Sequence, residues 1–233
     1  MPSHSPAPPV EIERLREALV TAGRRLGARG LISAGEGNVS VRLDDTTLLI
    51  TPAGRRKDEL RPSDIVVVPL RAADAGATDS AAPGPRPSSD IAIHRAVYEA
   101  RADVIAVVHA HLPASMALTL AGEVPDPAAL PETAMLLPRL PLVPFATPGS
   151  PELAAGVATA LTTGPEPLAG AVLLERHGAV AVGGVPEVEA GAGAGIARAL
   201  ASVDQAVDRL ELIEVLCRAW RDALLIRAAA IGR

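Results

Sequence analysis

The segment Val104-Ile105-Ala106-Val107-Val108, closed by His109-Ala110-His111, constrains this chain more than any other. The apolar run reads as a buried strand. Residues i and i+2 of a strand share a face, so His109 and His111 project together. A second apolar run, Ala171 to Leu174, ends shortly before His177-Gly178. Three neutral imidazoles converging from strand ends, with one position left open, have the geometry of a catalytic Zn²⁺ site. The chain has 5 histidines, so a cluster of three is not a by-product of abundance. Alone, a His-x-His pair is commonly accounted for by packing. The metal reading draws support from Gly178, which permits close backbone approach beside His177. It also draws support from Asp90, an acid at a helix start, although such acids commonly serve only the helix dipole.

Around that strand, helical and extended patterns alternate. From Glu11 to Ala28, residues Leu15, Leu19, Val20, Ala22 and Leu26 recur at helical spacing, and Gly30 supplies a stop. Asn38 to Arg42 and Thr46 to Thr51 read as strands joined at Asp44-Asp45, and Ile65 to Leu70 as another. Ser88-Ser89-Asp90 opens a helix to about Arg101, with hydroxyls able to cap it. There follow a helix from Pro113 to Ala121, a Pro-broken loop, a strand near Leu142 to Phe145 and a helix from Ser150 to Leu161. Strands 171–175 and 179–183 flank His177, and a helical region from Pro186 to about Ala230 closes the chain.

Residues 1–9 read as a disordered tail and 10–233 as a single domain. Residues 71–87 lack periodicity and read as a surface loop, because the strand-helix rhythm resumes on both sides. The run Gly191-Ala192-Gly193-Ala194-Gly195 lacks G-x-G-x-x-G spacing and lies in a helical stretch. It reads as a small-residue face for helix packing, not as a dinucleotide loop.

Composition narrows the function classes. Tyr98, Phe145 and Trp220 are the only aromatics, so the core must be Ala, Val and Leu, and few rings are available for stacking bases. A net charge of -5 speaks against nucleic acid as partner. Cys217 is the single cysteine, which excludes an intrachain disulfide and fits a reducing compartment. No apolar stretch suits a signal peptide or a bilayer span, so a cytoplasmic protein without a membrane partner is expected.

A second constellation lies in Gly35-Glu36-Gly37-Asn38-Val39-Ser40, Thr51-Pro52-Ala53-Gly54 and Ser88-Ser89. Glycines and small polar side chains expose backbone N–H groups, and a phosphate can be held by such a nest at a helix N-terminus. Each segment alone reads equally as turn and capping chemistry. Together, and beside the histidines, they point to an anion site.

These segments, with Tyr98-Glu99-Ala100-Arg101, Val107-Val108-His109-Ala110-His111 and Arg176-His177-Gly178, resemble the class II aldolase/adducin family, L-fuculose-1-phosphate aldolase type. The resemblance runs in order from about residue 11 to 220. It implies an α/β fold, a three-layer α/β/α sandwich around a largely antiparallel central sheet. It also implies a homotetramer with sites at subunit interfaces. His109, His111 and His177 match the metal ligands of the family, with Zn²⁺ as the cofactor and Mn²⁺ or Co²⁺ as alternatives. Asp90 matches its catalytic glutamate, and Gly37, Asn38, Gly54, Ser88 and Ser89 match phosphate-binding positions.

The implied activity is that of a zinc-dependent aldehyde-lyase. It would cleave a ketose 1-phosphate, L-fuculose 1-phosphate or a related 5-deoxypentulose 1-phosphate, into dihydroxyacetone phosphate and an aldehyde. A sugar-phosphate epimerase, dehydratase or decarboxylase on the same metal site, or a non-catalytic adducin-like scaffold, remains the alternative. Three departures bear on the choice. Asp90 sets its carboxylate about 1.5 Å further back than a glutamate. Ala53 stands where a threonine contacts phosphate, a loss on the order of 1.5–3 kcal/mol. The proton-handling tyrosine of the neighbouring subunit has no counterpart, and Glu132 and Thr133 occupy roughly the matching loop.

Overall fold

The computed structural model describes residues 9–71, 84–184 and 194–231. Their helices are α1 (Pro9–Ala28), α2 (Ile91–Ala100), α3 (Pro113–Leu120), α4 (Pro131–Leu136), α5 (Pro151–Thr162) and α6 (Ala194–Ile231). The strands are β1 (Asn38–Arg42), β2 (Thr47–Ile50), β3 (Val66–Pro69), β4 (Ala106–Ala110), β5 (Leu142–Val143), β6 (Ala171–Leu174) and β7 (Gly178–Gly183). They form one sheet in the order β3-β2-β1-β4-β7-β6-β5. Every pairing is antiparallel except β5 with β6.

Strand alternation divides the apolar residues between two helical layers. Ala106, Val108 and Ala110 of β4 face a core shared with Leu19 and Leu26 of α1, Leu118 of α3 and Val207 and Leu210 of α6. Val107 faces the opposite core, with Ile93 and Val97 of α2 and Leu153, Val157 and Leu161 of α5. The result is the expected α/β/α sandwich. Val108 and Val180 are fully buried between those layers, which explains why their strands read as continuous apolar runs. Parity also places His109, two residues after Val107, on the α2/α5 face, and β1 places Asn38 directly across from it.

Several boundaries differ from the sequence expectation. Pro9 already belongs to α1, and the remainder of the expected tail, residues 1–8, lies outside the described residues. Much of the expected loop, 72–83, and the start of the closing helix, 186–193, also lie outside them. The Pro-broken loop contains a helix, α4, whose proline occupies the first turn, where no N–H is needed. Gly195 stands in the first turn of α6, and a Cβ there would meet nothing within 4 Å, so close helix packing does not account for it. Among the described residues, no helix is long and apolar enough to cross a membrane.

Candidate active site

His109 is the fourth of the five buried residues of β4 and His111 lies just beyond the strand, while His177 occupies the turn from β6 to β7. That turn approaches β4 closely. Gly178 has φ +113°, and a Cβ there would lie 2.1 Å from the Ala110 carbonyl oxygen and 2.8 Å from His111 Cα. Only glycine lets the two segments meet in this way. The three rings then converge, with centroids 4.9, 4.7 and 4.8 Å apart.

The donor set fits a divalent metal. One ligand atom from each histidine lies within 4.8 Å of the others. His109 Nδ1 donates to the Ala179 carbonyl at 2.9 Å, which fixes the tautomer and leaves Nε2 as a lone pair. That Nε2 and His177 Nδ1 are buried with no hydrogen-bond partner among the described residues. Buried polar atoms rarely go unpaired without a functional reason. Burial, then the charges of His111 and His177, pushes His109 well below its ordinary value. Burial, then His111, also lowers His177, against the opposing charges of Asp90 and Glu36. Both are therefore in the neutral, ligating form. Glu36 Oε1 lies 3.4 Å from His111 Nδ1, the place of an orienting carboxylate behind a ligand imidazole. Burial opposes ionisation of Glu36, but hydrogen bonds from Ser33 and the charge of His111 hold its carboxyl below the usual range.

Beside this cluster, three loops are laced into one cradle. Thr51 N donates to the Val39 carbonyl at 3.0 Å, and Thr51 Oγ1 accepts from Val39 N at 3.1 Å. Ser88 N donates to the Thr51 carbonyl and Ala53 N to the Arg86 carbonyl, closing the third segment onto the second. Gly37 has φ +69°, and a Cβ there would lie 2.7 Å from the Ile32 side chain and 3.0 Å from the His109 carbonyl oxygen. Gly37, Asn38, Gly54, Ser88, Ser89 and Asp90 thus line one cavity of about 260 Å³ together with His111 and His177. The size suits a small metabolite. The expected ligands, cradle residues and carboxylate all come to this place, with His109 fully buried behind the other two histidines.

The start of α2 differs from the expectation that serine hydroxyls cap it: Asp90 takes the position before the first turn, no side chain there caps the helix, and Ser88 Oγ accepts from Asp90 N at 3.3 Å. Instead Asp90 Oδ2 accepts from Asn38 Nδ2 at 3.0 Å. That orients the amide, so Asn38 Oδ1 accepts from His94 Nε2 at 2.5 Å. His94 is fully buried and burial drives it down to about 3, so it is neutral and its Nδ1 accepts from Ser40 Oγ at 2.6 Å. Ser40 Oγ in turn meets the Tyr98 hydroxyl at 2.8 Å. From Ser40 through His94 and Asn38 to Asp90 the donors run in one direction, and the tautomer follows from that order, while the Tyr98 hydroxyl donates to the Ile105 carbonyl at 3.3 Å. Sequence reasoning missed His94, which becomes visible only when β1 packs on α2.

Lys57 was missed as well. It lines the same cavity and is 1% exposed, and its Nζ donates to the carbonyls of Gly35 and Arg55. The signal available was that no other lysine occurs in the chain. Thr133, by contrast, is buried and its hydroxyl is engaged by the Pro127 and Leu130 carbonyls of its own loop. Neither Thr133 nor Glu132 lines the cavity.

A mostly antiparallel α/β/α sheet carrying three imidazoles beside a carboxylate and a glycine-serine cradle defines a class of metal-binding enzymes acting on sugar phosphates. The chain belongs to the class II aldolase and adducin N-terminal domain family, whose model matches residues 17–220. It is 37% identical over 172 residues to a 3-oxo-tetronate 4-phosphate decarboxylase of Cupriavidus necator, covering 72% of this chain and 73% of that one. It is 36% identical over 171 residues to a 5-methylthioribulose-1-phosphate/5-deoxyribulose-1-phosphate aldolase of Rhodospirillum rubrum, covering 72% and 71%. The fold matches the L-fuculose-1-phosphate aldolase of Thermus thermophilus with a TM-score of 0.73 at 30% identity, over 93% of this chain and 97% of that one.

Proposed function

We propose that this protein is a divalent-metal lyase that decarboxylates a small phosphorylated 3-oxo sugar acid. The observation that carries the reading is the shared cavity, where the histidine cluster, Asp90 and the cradle meet while the only tyrosine of the chain is buried elsewhere. His109, His111 and His177 would hold the ion, with Zn²⁺ favoured by a set of three histidine nitrogens. When bound, the ion supplies Lewis-acid stabilisation of the negative charge that develops on the substrate oxygens. Gly37, Asn38, Gly54, Ser88 and Ser89 hold the phosphate and so fix the reacting carbons beside Asp90. Asp90 takes the proton of the hydroxyl next to the carbonyl and returns it to the carbon that has lost CO₂. The proton that completes the product comes from solvent.

The choice of leaving group follows from Tyr98. Aldol chemistry needs a group that handles the proton on the aldehyde oxygen, whereas CO₂ departs from a carboxylate that is already ionised. Tyr98 is 2% exposed and hydrogen-bonded to Ser40, and burial raises its phenol far above the usual range. It is not available for that task within this chain. The 37% identity to a decarboxylase supports the same reading. Aldol cleavage of a ketose 1-phosphate is the second reading, favoured by the match to an aldolase over 93% of the chain.

Homotetrameric assembly is part of the proposal. It is supported by the uncovered end of α6, where Leu225, Ile226 and Ile231 are exposed. The deciding experiment incubates the metal-loaded protein with a 3-oxo-tetronate 4-phosphate and, separately, with ketose 1-phosphates. Release of CO₂ from the first is the expected outcome. Release of an aldehyde from the second establishes the aldolase reading instead, and turnover of neither rejects both. Metal analysis of the same preparation identifies the ion, with Mn²⁺ and Co²⁺ as the other outcomes.

A further inference from the structure

Of the 22 lysine and arginine residues in the chain, Lys57 alone is a lysine. It is also almost completely buried, where an ammonium is hardest to keep. Its backbone begins the 3-10 turn Lys57–Glu59. That turn packs on α1 so closely that a Cβ at Gly23 would lie 2.2 Å from the Lys57 carbonyl oxygen. The side chain runs inward from there, and Nζ donates to the Gly35 and Arg55 carbonyls at 2.7 Å each. Those carbonyls belong to the two turns that present Gly37 and Gly54 to the cavity. An ammonium has three donors. Among the described residues, no acceptor takes the third and no carboxylate lies within ion-pair distance of Nζ.

The charges around the cavity give this geometry its meaning. Among the described residues, Lys57 is the only lysine or arginine that lines it, whereas Glu36 and Asp90 both do. Without Lys57 the cradle would present two carboxylates to an anionic ligand, and its neutral glycines and serines would not offset them. A guanidinium is a planar fork and cannot replace a compact ammonium wedged between two carbonyls. Burial pushes Lys57 down to about 8, with Asp90 acting in the opposite direction. A buried cation held this weakly gains much from an arriving anion.

We propose that Lys57 is the cation of the anion cradle, giving its third N–H and its charge to the phosphate monoester of the substrate. The proposal rests on the sugar-phosphate reading above and adds the residue that balances Glu36 and Asp90. The test uses the metal-loaded protein and inorganic phosphate as probe. Because the chain has one lysine, lysine-labelled protein gives one side-chain Nζ signal by NMR. That signal is expected to shift on adding phosphate, with the same midpoint as the binding isotherm measured by calorimetry. Lys57→Met is expected to keep its metal, to bind phosphate on the order of 10- to 100-fold more weakly, and to raise KM more than it lowers kcat.

Phosphate that binds the unaltered protein without moving the lysine signal overturns the proposal and leaves the sugar-phosphate reading standing. So does a folded Lys57→Met protein with unchanged phosphate affinity, which reduces Lys57 to a brace between two turns. Failure of the unaltered protein to bind phosphate at all removes both. The NMR measurement needs no variant, so it decides the matter even where Lys57→Met does not fold.

Discussion

The buried histidines beside this cavity are of two kinds, His94 on one hand and His109 and His177 on the other, and burial makes all three neutral. They differ in what each ring nitrogen meets. His94 has a partner on either side, Asn38 and Ser40, and is complete as it stands. His109 spends one nitrogen on the Ala179 carbonyl and leaves the other bare, and His177 also has a bare nitrogen. Burial and a depressed pKa therefore do not distinguish a ligand from a structural histidine. The unpaired nitrogen does, because an orphaned buried polar atom is unfavourable by about 1–3 kcal/mol unless something fills its place.

The largest effect expected from this contrast is on the bare side. His109→Ala should lose the metal and lower turnover on the order of 10³-fold or more, read by metal analysis and steady-state kinetics. Full metal content in that variant would break the distinction. His94→Gln should keep the metal and lower kcat by about 10- to 100-fold, the usual scale for a residue that orients another. A displaced pH–rate profile, with KM nearly unchanged, would mark the effect as acting through Asn38 on Asp90.

The smallest effect is on acid stability. His94 titrates near 3 in the folded protein against an ordinary value of 6.5, so between these values the unfolded chain binds more protons. Its contribution to stability is complete above pH 6.5 and is lost as pH falls, by about 2 kcal/mol at pH 5. Denaturant unfolding of the metal-free protein should show a shallower pH slope for His94→Gln than for the parent. The other histidines titrate in both proteins, so the difference isolates His94.

Local spacing made much of this site legible in advance. His109 and His111 share a face because strand geometry requires it, and Gly178 announces a close approach that any side chain would block. Gly37 needs a positive φ, and the Ser88-Ser89-Asp90 segment opens a helix, so the cradle is also written in short stretches. What stayed hidden depends on packing between distant segments. The contact from Asp90 to Asn38 exists only because α2 covers β1, and helix-dipole reasoning assigned that carboxylate a different use. Lys57 reaches the cavity from a turn whose sequence, Arg55-Arg56-Lys57-Asp58-Glu59, looks like an ordinary solvated charge cluster. Only the packing of that turn on α1 drives its lysine inward.

The pairing of β4 with β7 has a consequence for the life of the chain before it is complete. His109 and the Ala179 carbonyl that orients it are 70 residues apart in sequence. During synthesis His109 and His111 emerge first, as a pair with no third ligand and no fixed tautomer. Tight metal capture must wait for the late hairpin of β6 and β7 to dock in register. On the proposed reading the ion would be acquired only after that docking, and its retention would report that the sheet has closed correctly.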